Sequence, residues 1–226
     1  MRFLLCVFFV LAGQLVWAQQ KPGSITDSLP SAVNDSVREV HLIRSDLLRF
    51  EKRDSTELQI LTGNAELRQE NTFFSGDSIV LNKRDNVLEV FGNIHINDSD
   101  SINVDSQYLI YYGNTRIAYL KKNVKLTDGK ATLTTDELEY NLNTKRGNYK
   151  TGGKIVTSTT TLTSREGFYY ADTKDAFFKR NVRLKDPEYT MTTDSLQYNV
   201  DMQLATFIAP TTINDGKSII KTSDGY

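Results

Sequence analysis

Two histidines, one cysteine and a set of recurring carboxylates are the residues of this 226-residue chain whose chemistry could go beyond packing. His41 lies in a polar stretch near the N-terminus. His95 alternates with Ile94 and Ile96, an outward strand position where a solvated histidine is the ordinary role. Nothing in the chain matches G-x-S-x-G, H-E-x-x-H or a phosphate-binding loop, so no nucleophile stands out. The acid pairs Asp98/Asp100 and Asp136/Glu137 fall in turns or on polar faces, whereas glycoside hydrolysis needs two carboxylates converging across a cleft. Cys6 is the only thiol, and it sits in an apolar N-terminal segment; a disulfide or thiolate metal site is not expected. The reading is of a non-enzyme without cofactor or metal.

The carboxylates recur with a period. Asp46, Asp77, Asp136 and Asp194 each stand two and four residues ahead of apolar positions, as in Asp136-Leu138-Tyr140 and Asp194-Leu196-Tyr198, and Asp224 stands two ahead of Tyr226. Stacked in register they would form a column. A calcium ladder is one reading, but calcium takes six to eight oxygens and each unit offers one carboxylate. The other reading is that each Asp accepts hydrogen bonds from turn N–H groups. Gln107 and Arg165 interrupt the column, and stacked like charges repel, both of which favour the second.

A matching apolar half-unit reads Gly63-Asn64-Ala65-Glu66-Leu67, Gly92-Asn93-Ile94-His95-Ile96, Lys122-Asn123-Val124-Lys125-Leu126 and Arg180-Asn181-Val182-Arg183-Leu184, with weaker copies at Gly152-Gly153 and Ala209-Pro210. The markers at 64, 93, 123, 153, 181 and 210 are 28 to 30 residues apart. A fixed period of this size means one supersecondary unit stacked many times. Within each half the period is two, so Leu138 and Tyr140 share one strand face and the intervening glutamates the other. Asn, Asp, Gly and Lys cluster between halves as turns. The expectation is an all-β chain of about a dozen strands, two per unit of about 30 residues.

One buried face per strand requires a cover, supplied by a second sheet in a sandwich or jelly roll, or by a parallel β-helix. Short turns favour antiparallel neighbours, because parallel pairs need long crossovers. Two opposed sheets of six or seven rungs, about 30 Å along the stack, are expected. Terminal strands leave unpaired backbone groups that can accept a strand from another chain. The inward column holds Leu48, Phe50, Ile79, Leu81, Leu109, Tyr111, Leu138, Tyr140, Tyr169, Leu196 and Tyr198 on one strand set. Ile94, Ile96, Val124, Leu126, Val182 and Leu184 line the other. These residues form either a filled core or, with splayed sheets, a long groove for acyl chains.

Lys+Arg 27 against Asp+Glu 28 gives a net charge of −1, so a nucleic-acid footprint is not expected. Residues 1–18 read as a cleavable signal peptide, with Arg2, an apolar run from Phe3 to Leu11, and Val16-Trp17-Ala18 before the cut. An uncleaved anchor is the alternative, but the run falls short of the roughly 20 residues that span a bilayer. Residues 19–41 read as a flexible leader. Residues 42–226 are the repeat domain, with the chain stopping inside a further copy at Asp224-Gly225-Tyr226.

The paired motifs Asn123-Val124-Lys125-Leu126 with Thr134-Thr135-Asp136-Glu137-Leu138-Glu139-Tyr140, and Asn181-Val182-Arg183-Leu184 with Thr192-Thr193-Asp194-Ser195-Leu196-Gln197-Tyr198, resemble the OstA/LptA family of periplasmic lipopolysaccharide-transport proteins, in its OstA-like, Bacteroidetes-type branch. The resemblance covers residue 42 to the C-terminus. It implies a V-shaped β-jelly roll that carries lipid A acyl chains in the apolar groove residues named above, end-to-end assembly of copies through edge strands, and LptC-like and LptD-like partners in a bridge between membranes. Gly167 in place of a large apolar residue, Arg165 in place of Asp, and the Thr/Ser-rich run from Thr157 to Thr163 depart from the pattern. A kink, a widened groove or an edge would explain them. Two other classes stay open. One is a structural or adhesive β-solenoid with a filled interior. The other is a carbohydrate-active β-helix, which the outward Glu, Lys, Thr, Gln and Asn, without an aromatic ladder, count against.

Overall fold

Pairs of consecutive left-handed residues bend the long strands in half. In the computed structural model, which describes residues 40–223 and 225 apart from 54–55, 70, 99–101, 171, 200–201 and 203, positive φ occurs at Gly63/Asn64, Gly92/Asn93, Lys122/Asn123 and Arg180/Asn181. These pairs lie in the middle of β3 (Thr56–Gln69), β5 (Val87–Asp98), β7 (Ile117–Thr127) and β13 (Asp175–Lys185). Glycine and asparagine occupy most of these positions because left-handed backbone costs other residues more. The N-terminal segment expected as signal peptide and leader, including Cys6, lies outside the described residues up to position 39, as do Asp100, Asp224 and Tyr226.

Each left-handed pair faces a single residue of the neighbouring strand, so the corners are β-bulges. Between β3 and β4 (Thr72–Asn82) the register runs from Thr62↔Ser78 to Ala65↔Gly76, which leaves Gly63 and Asn64 opposite Asp77 alone. The same two-against-one count puts Asp136 of β8 (Thr132–Asn141) opposite Lys122/Asn123, and Asp194 of β14 (Thr190–Asn199) opposite Arg180/Asn181. The two sequence markers are therefore the two sides of one corner. Asn93 Nδ2 donates to both carboxylate oxygens of Asp77, at 3.2 and 3.0 Å. Asn64 Nδ2 donates to Asp46 Oδ2 at 3.2 Å, and Asp194 Oδ1 accepts from the Asn181 N–H at 3.4 Å. Gln107, on β6 (Ile102–Tyr112), takes the acidic position without loss because its Oε1 accepts from the Asn93 N–H at 3.4 Å. Of the two readings of the acidic column, these contacts carry the turn-bonding one.

Replacing Asn93 with valine should therefore lower stability by about 2–3 kcal/mol, through a β-branched residue at positive φ and the lost bonds to Asp77. Urea denaturation of N93V beside the parent measures it.

At the remaining corners the strand breaks outright. β1 (His41–Arg44) and β2 (Leu47–Arg53) are separated at Asp46, and β9 (Arg146–Tyr149) and β10 (Gly153–Val156) at Gly152. β11 (Thr161–Ser164) and β12 (Glu166–Tyr170) part at Arg165, and β15 (Leu204–Phe207) and β16 (Thr211–Asn214) at Pro210; β17 (Ile219–Thr222) closes the order. Among the described residues seventeen strands result, and joining the four broken pairs leaves thirteen, close to the dozen expected. The breaks fall at the two weak copies of the apolar motif, at the Arg165 departure and before the first full unit.

Among the described residues all pairings are antiparallel, and because the long strands cross the corner, hydrogen bonding links the described strands into one 17-stranded sheet. Folded at the corners, it makes two walls. One wall runs β2, β3, β4, β5, β6, β7, β8, β9, β12, β13, β14, β15 through the strand halves on one side of the corner. The other runs β1, β3 to β8, β10, β11, β13, β14, β16, β17 through the opposite halves. Each wall thus holds about twice the six or seven rungs expected and extends about 55 Å. The expectation counted each strand in one sheet only, whereas a bent strand serves both. The fold is an all-β, antiparallel jelly roll, and the parallel β-helix is excluded by its pairing.

Candidate functional site: the apolar interior between the walls

In-register pairing turns the alternating residues into continuous ladders along the inside of each wall. Beside the corner on the first wall runs Leu48, Leu61, Ile79, Val90, Leu109, Leu120, Leu138, resumed by Tyr149, Gly167, Phe178, Leu196 and Phe207. One step further out lie Phe50, Gln59, Leu81, Leu88, Tyr111, Ala118, Tyr140, Gly147, Tyr169, Ala176, Tyr198 and Ala205. From Tyr111 onward each tyrosine faces a small residue on the next strand. That alternation lets the rings lie across their neighbours instead of colliding. The second wall carries Leu42, Leu67, Phe74, Ile96, Val104, Leu126, Leu133, Ile155, Leu162, Leu184, Met191, Ile213 and Ile220 in one unbroken register.

Every interior position expected from the repeat lies on these ladders or beside them. Leu48, Ile79, Leu109, Leu138 and Leu196 stand on the first, Phe50, Leu81, Tyr111, Tyr140, Tyr169 and Tyr198 on the second, and Ile96, Leu126 and Leu184 on the third. Ile94, Val124 and Val182 are buried just past the corner on the second wall. The partners Leu61, Leu67, Val90, Leu120, Leu133, Ile155, Leu162, Phe178 and Met191 were not among them. Leu67 and Ile155 stand in copies of the apolar motif itself and the others lie across the corner from a motif, on the same strand or, for Leu162, on its broken continuation; the small residues 118, 147, 176 and 205 at a 29-residue spacing are the signal that would have exposed that second phase.

The interior is closed in the middle and open at its ends. Ile79, Val90, Leu133 and Leu162 are 0% exposed, within a cluster that spans both walls. At the first rungs Leu42, Leu48 and Phe50 are 46%, 43% and 59% exposed, and at the last Ile220 is 59% exposed. Inside the corner a row of hydroxyls repeats at 29-residue spacing. Thr135, Ser164 and Thr193 each donate to the carbonyl two residues on, at 3.2, 2.9 and 3.2 Å, and so satisfy a polar group in an apolar trough.

The Gly167 departure is explained by Tyr149. A Cβ on Gly167 or on Gly153 would overlap the Tyr149 ring, which is 1% exposed and occupies the space the missing leucine leaves. Its hydroxyl shares a 2.7 Å hydrogen bond with Ser164 Oγ. Burial pushes the phenol up to about 12, although the Ser164 bond pulls the other way. Tyr149 therefore stays neutral in the fold while the unfolded phenol ionises near pH 10. Its contribution is intact below pH 10 and lost as pH climbs to about 12, amounting to about 3 kcal/mol. Stability of the parent minus that of Y149F, measured by urea denaturation from pH 9 to 11.5, should fall across this window.

The outer face of the first wall departs from expectation. Phe91 and Tyr108 lie 5.3 Å apart, Tyr112 and Tyr119 6.2 Å, and Tyr170 and Phe177 5.7 Å between ring centroids. Arg146 sits 4.6 Å over Tyr170, and the Tyr108 hydroxyl donates to Glu89 at 2.8 Å. The expectation of polar outward positions without aromatics is thus corrected. Runs such as Tyr108-Leu109-Ile110-Tyr111-Tyr112 are apolar on both faces, and reading one phase hides the other. His95, outward as expected, shares a 2.8 Å contact between Nδ1 and Asp105 across the strands. Among the described residues no three His, Cys, Asp or Glu side chains gather as a metal site.

The family model for OstA-like proteins matches residues 37–194 and again 178–226, together nearly all of the described chain. The chain belongs to the OstA-like family. No curated protein matches it. Among solved structures it is similar to LptH of Pseudomonas aeruginosa, the LptA-homologous periplasmic component of that organism's lipopolysaccharide transport device, at 11% identity over 84% of this chain and 97% of that one. The TM-score is 0.21, a superposition too loose to carry an argument about this OstA-like chain.

Proposed function

We propose that this OstA-like protein is a periplasmic carrier of lipopolysaccharide, holding the lipid A acyl chains between its two walls as part of a bridge from inner to outer membrane. The observation that carries the reading is the pair of opposed apolar ladders that run the whole length of the walls and surface at both ends. A continuous apolar path with open ends suits a ligand handed on from one protein to the next. Each methylene moved from water onto such a surface gains about 0.8 kcal/mol, which favours acyl chains over any sugar.

The exposed terminal rungs, β1 with β2 at one end and β15 to β17 at the other, are the edges through which further copies, or LptC-like and LptD-like partners, would add strands. The apolar run from Phe3 to Leu11 ahead of Val16-Trp17-Ala18 supports export to the periplasm. No catalytic step is part of this reading.

The fully buried middle rungs favour a second reading, a structural β-solenoid whose interior is simply a packed core. Native mass spectrometry separates the two. Under the carrier reading the mature protein retains lipid A and does not retain the deacylated saccharide. Retention of neither by folded protein, or of the saccharide alone, overturns it.

A further inference from the structure

The rung at Tyr149 differs from every other full rung. Both of its strands are broken at the corner, β9 from β10 and β11 from β12, so no continuous strand runs from wall to wall there and the chain crosses as irregular segments, residues 150–152 and Arg165. Backbone hydrogen bonds tie these crossings to each other and to the next corner, from Gly152 N–H to the Arg165 carbonyl at 2.9 Å and from Arg165 N–H to the Arg180 carbonyl at 2.9 Å. Gly152 has φ +99°, a conformation that L side chains rarely adopt. A side chain crosses from wall to wall beside these segments. Tyr149, on β9 of the first wall, lies over two bare glycines and reaches Ser164 on β11 of the second.

The interior is closed at this rung. Tyr149, Tyr169, Leu133, Ile155 and Leu162 are all 3% exposed or less. Toward either end, fully buried residues such as Ile79, Val90 and Leu196 are joined by the partly buried Phe74, Leu81, Leu88, Phe207 and Ile213.

We propose that Tyr149 is a gate in the acyl-chain path, latched by Ser164 and seated on Gly153 and Gly167, and that it divides the interior into two compartments. The inference rests on the carrier reading. Two glycines are needed because the ring takes the volume their side chains would fill, and the broken corner lets this rung open without bending a continuous strand. Acyl chains occupy the interior on either side of the ring, and passage between the sides requires the ring to swing out and its bond to Ser164 to break.

The test uses the mature chain with lipid A carrying a diazirine in one acyl chain, and adducts are mapped by peptide mass spectrometry. In the parent, adducts should fall in two groups, over β3 to β7 and over β13 to β16, with a gap at residues 153–164. In Y149A the gap should fill, with adducts there rising at least tenfold. Y149L, which retains apolar bulk but cannot reach Ser164, serves if Y149A does not fold by circular dichroism, and should fill the gap in the same way. Adducts that run continuously through 153–164 in the parent, or a gap unchanged in a folded Tyr149 variant, overturn the gate and leave the carrier reading standing. Absence of adducts anywhere in folded parent protein overturns both.

Discussion

Restoring the leucine that the repeat calls for at position 167 should destabilise the protein. In the register of the first ladder this position corresponds to Leu138 and Leu196, and consensus reasoning would rank Gly167→Leu as an improvement. The Tyr149 ring already fills the site, and even a Cβ on Gly167 would overlap it. Overpacking costs about 1–3 kcal/mol and occasionally more. Here it sits at the upper end, because the ring is boxed by Gly153 and anchored by Ser164. Removing the ring alone, as Y149A, leaves a cavity worth about 3–5 kcal/mol. Combined, the two changes refill one volume, so the double variant should be more stable than the sum of the singles by about 2–3 kcal/mol. A double-mutant cycle by urea denaturation reads this coupling. Simple additivity would mean that ring and glycine do not share the space.

Truncation should cost far more at the centre of the stack than at its ends. Leu133 has no exposure and lies between Leu126 and Ile155 in register, so L133A loses both the transfer energy and the contacts around the hole, about 2–5 kcal/mol. Leu48 and Phe50 are 43% and 59% exposed on the first rung. With much of their surface already in water, L48A and F50A should each cost less than about 1 kcal/mol. If the terminal rungs join copies end to end, the same two changes should abolish self-association seen by sedimentation at high protein concentration. A stability loss at Leu48 equal to that at Leu133 would contradict the graded burial.

Strict alternation made much of the interior readable from residue order. Leu138, Tyr140, Leu196 and Tyr198 stand where period two puts them, because a one-residue slip would turn the whole strand inside out. The turn chemistry of the corners was readable as well, since Asn93 and Asp77 are the residue types that left-handed backbone and its unpaired donors demand, but not that the turn lies inside one strand. Tyr149 was not readable. Its role depends on Gly153 and Gly167, which become its neighbours only after two strands break and pair across the corner. The outer aromatics were hidden for a different reason. Tyr108, Tyr112 and Phe177 sit in runs that are apolar on both faces, where alternation loses its contrast. The length of each wall was underestimated because nothing in a strand's residue pattern says that its two halves lie in different walls.

The measurement that bears most directly on the carrier reading is photocrosslinking of the mature protein in the presence of lipopolysaccharide. A photoreactive residue is placed at Leu138, Tyr140 or Leu196, which face the interior, with controls at Glu137 and Gln197 on the opposite face of the same strands. Adducts from the inward positions and none from the controls are the predicted result. Adducts from the controls alone, or from neither set in folded protein, would contradict lipid carriage between the walls.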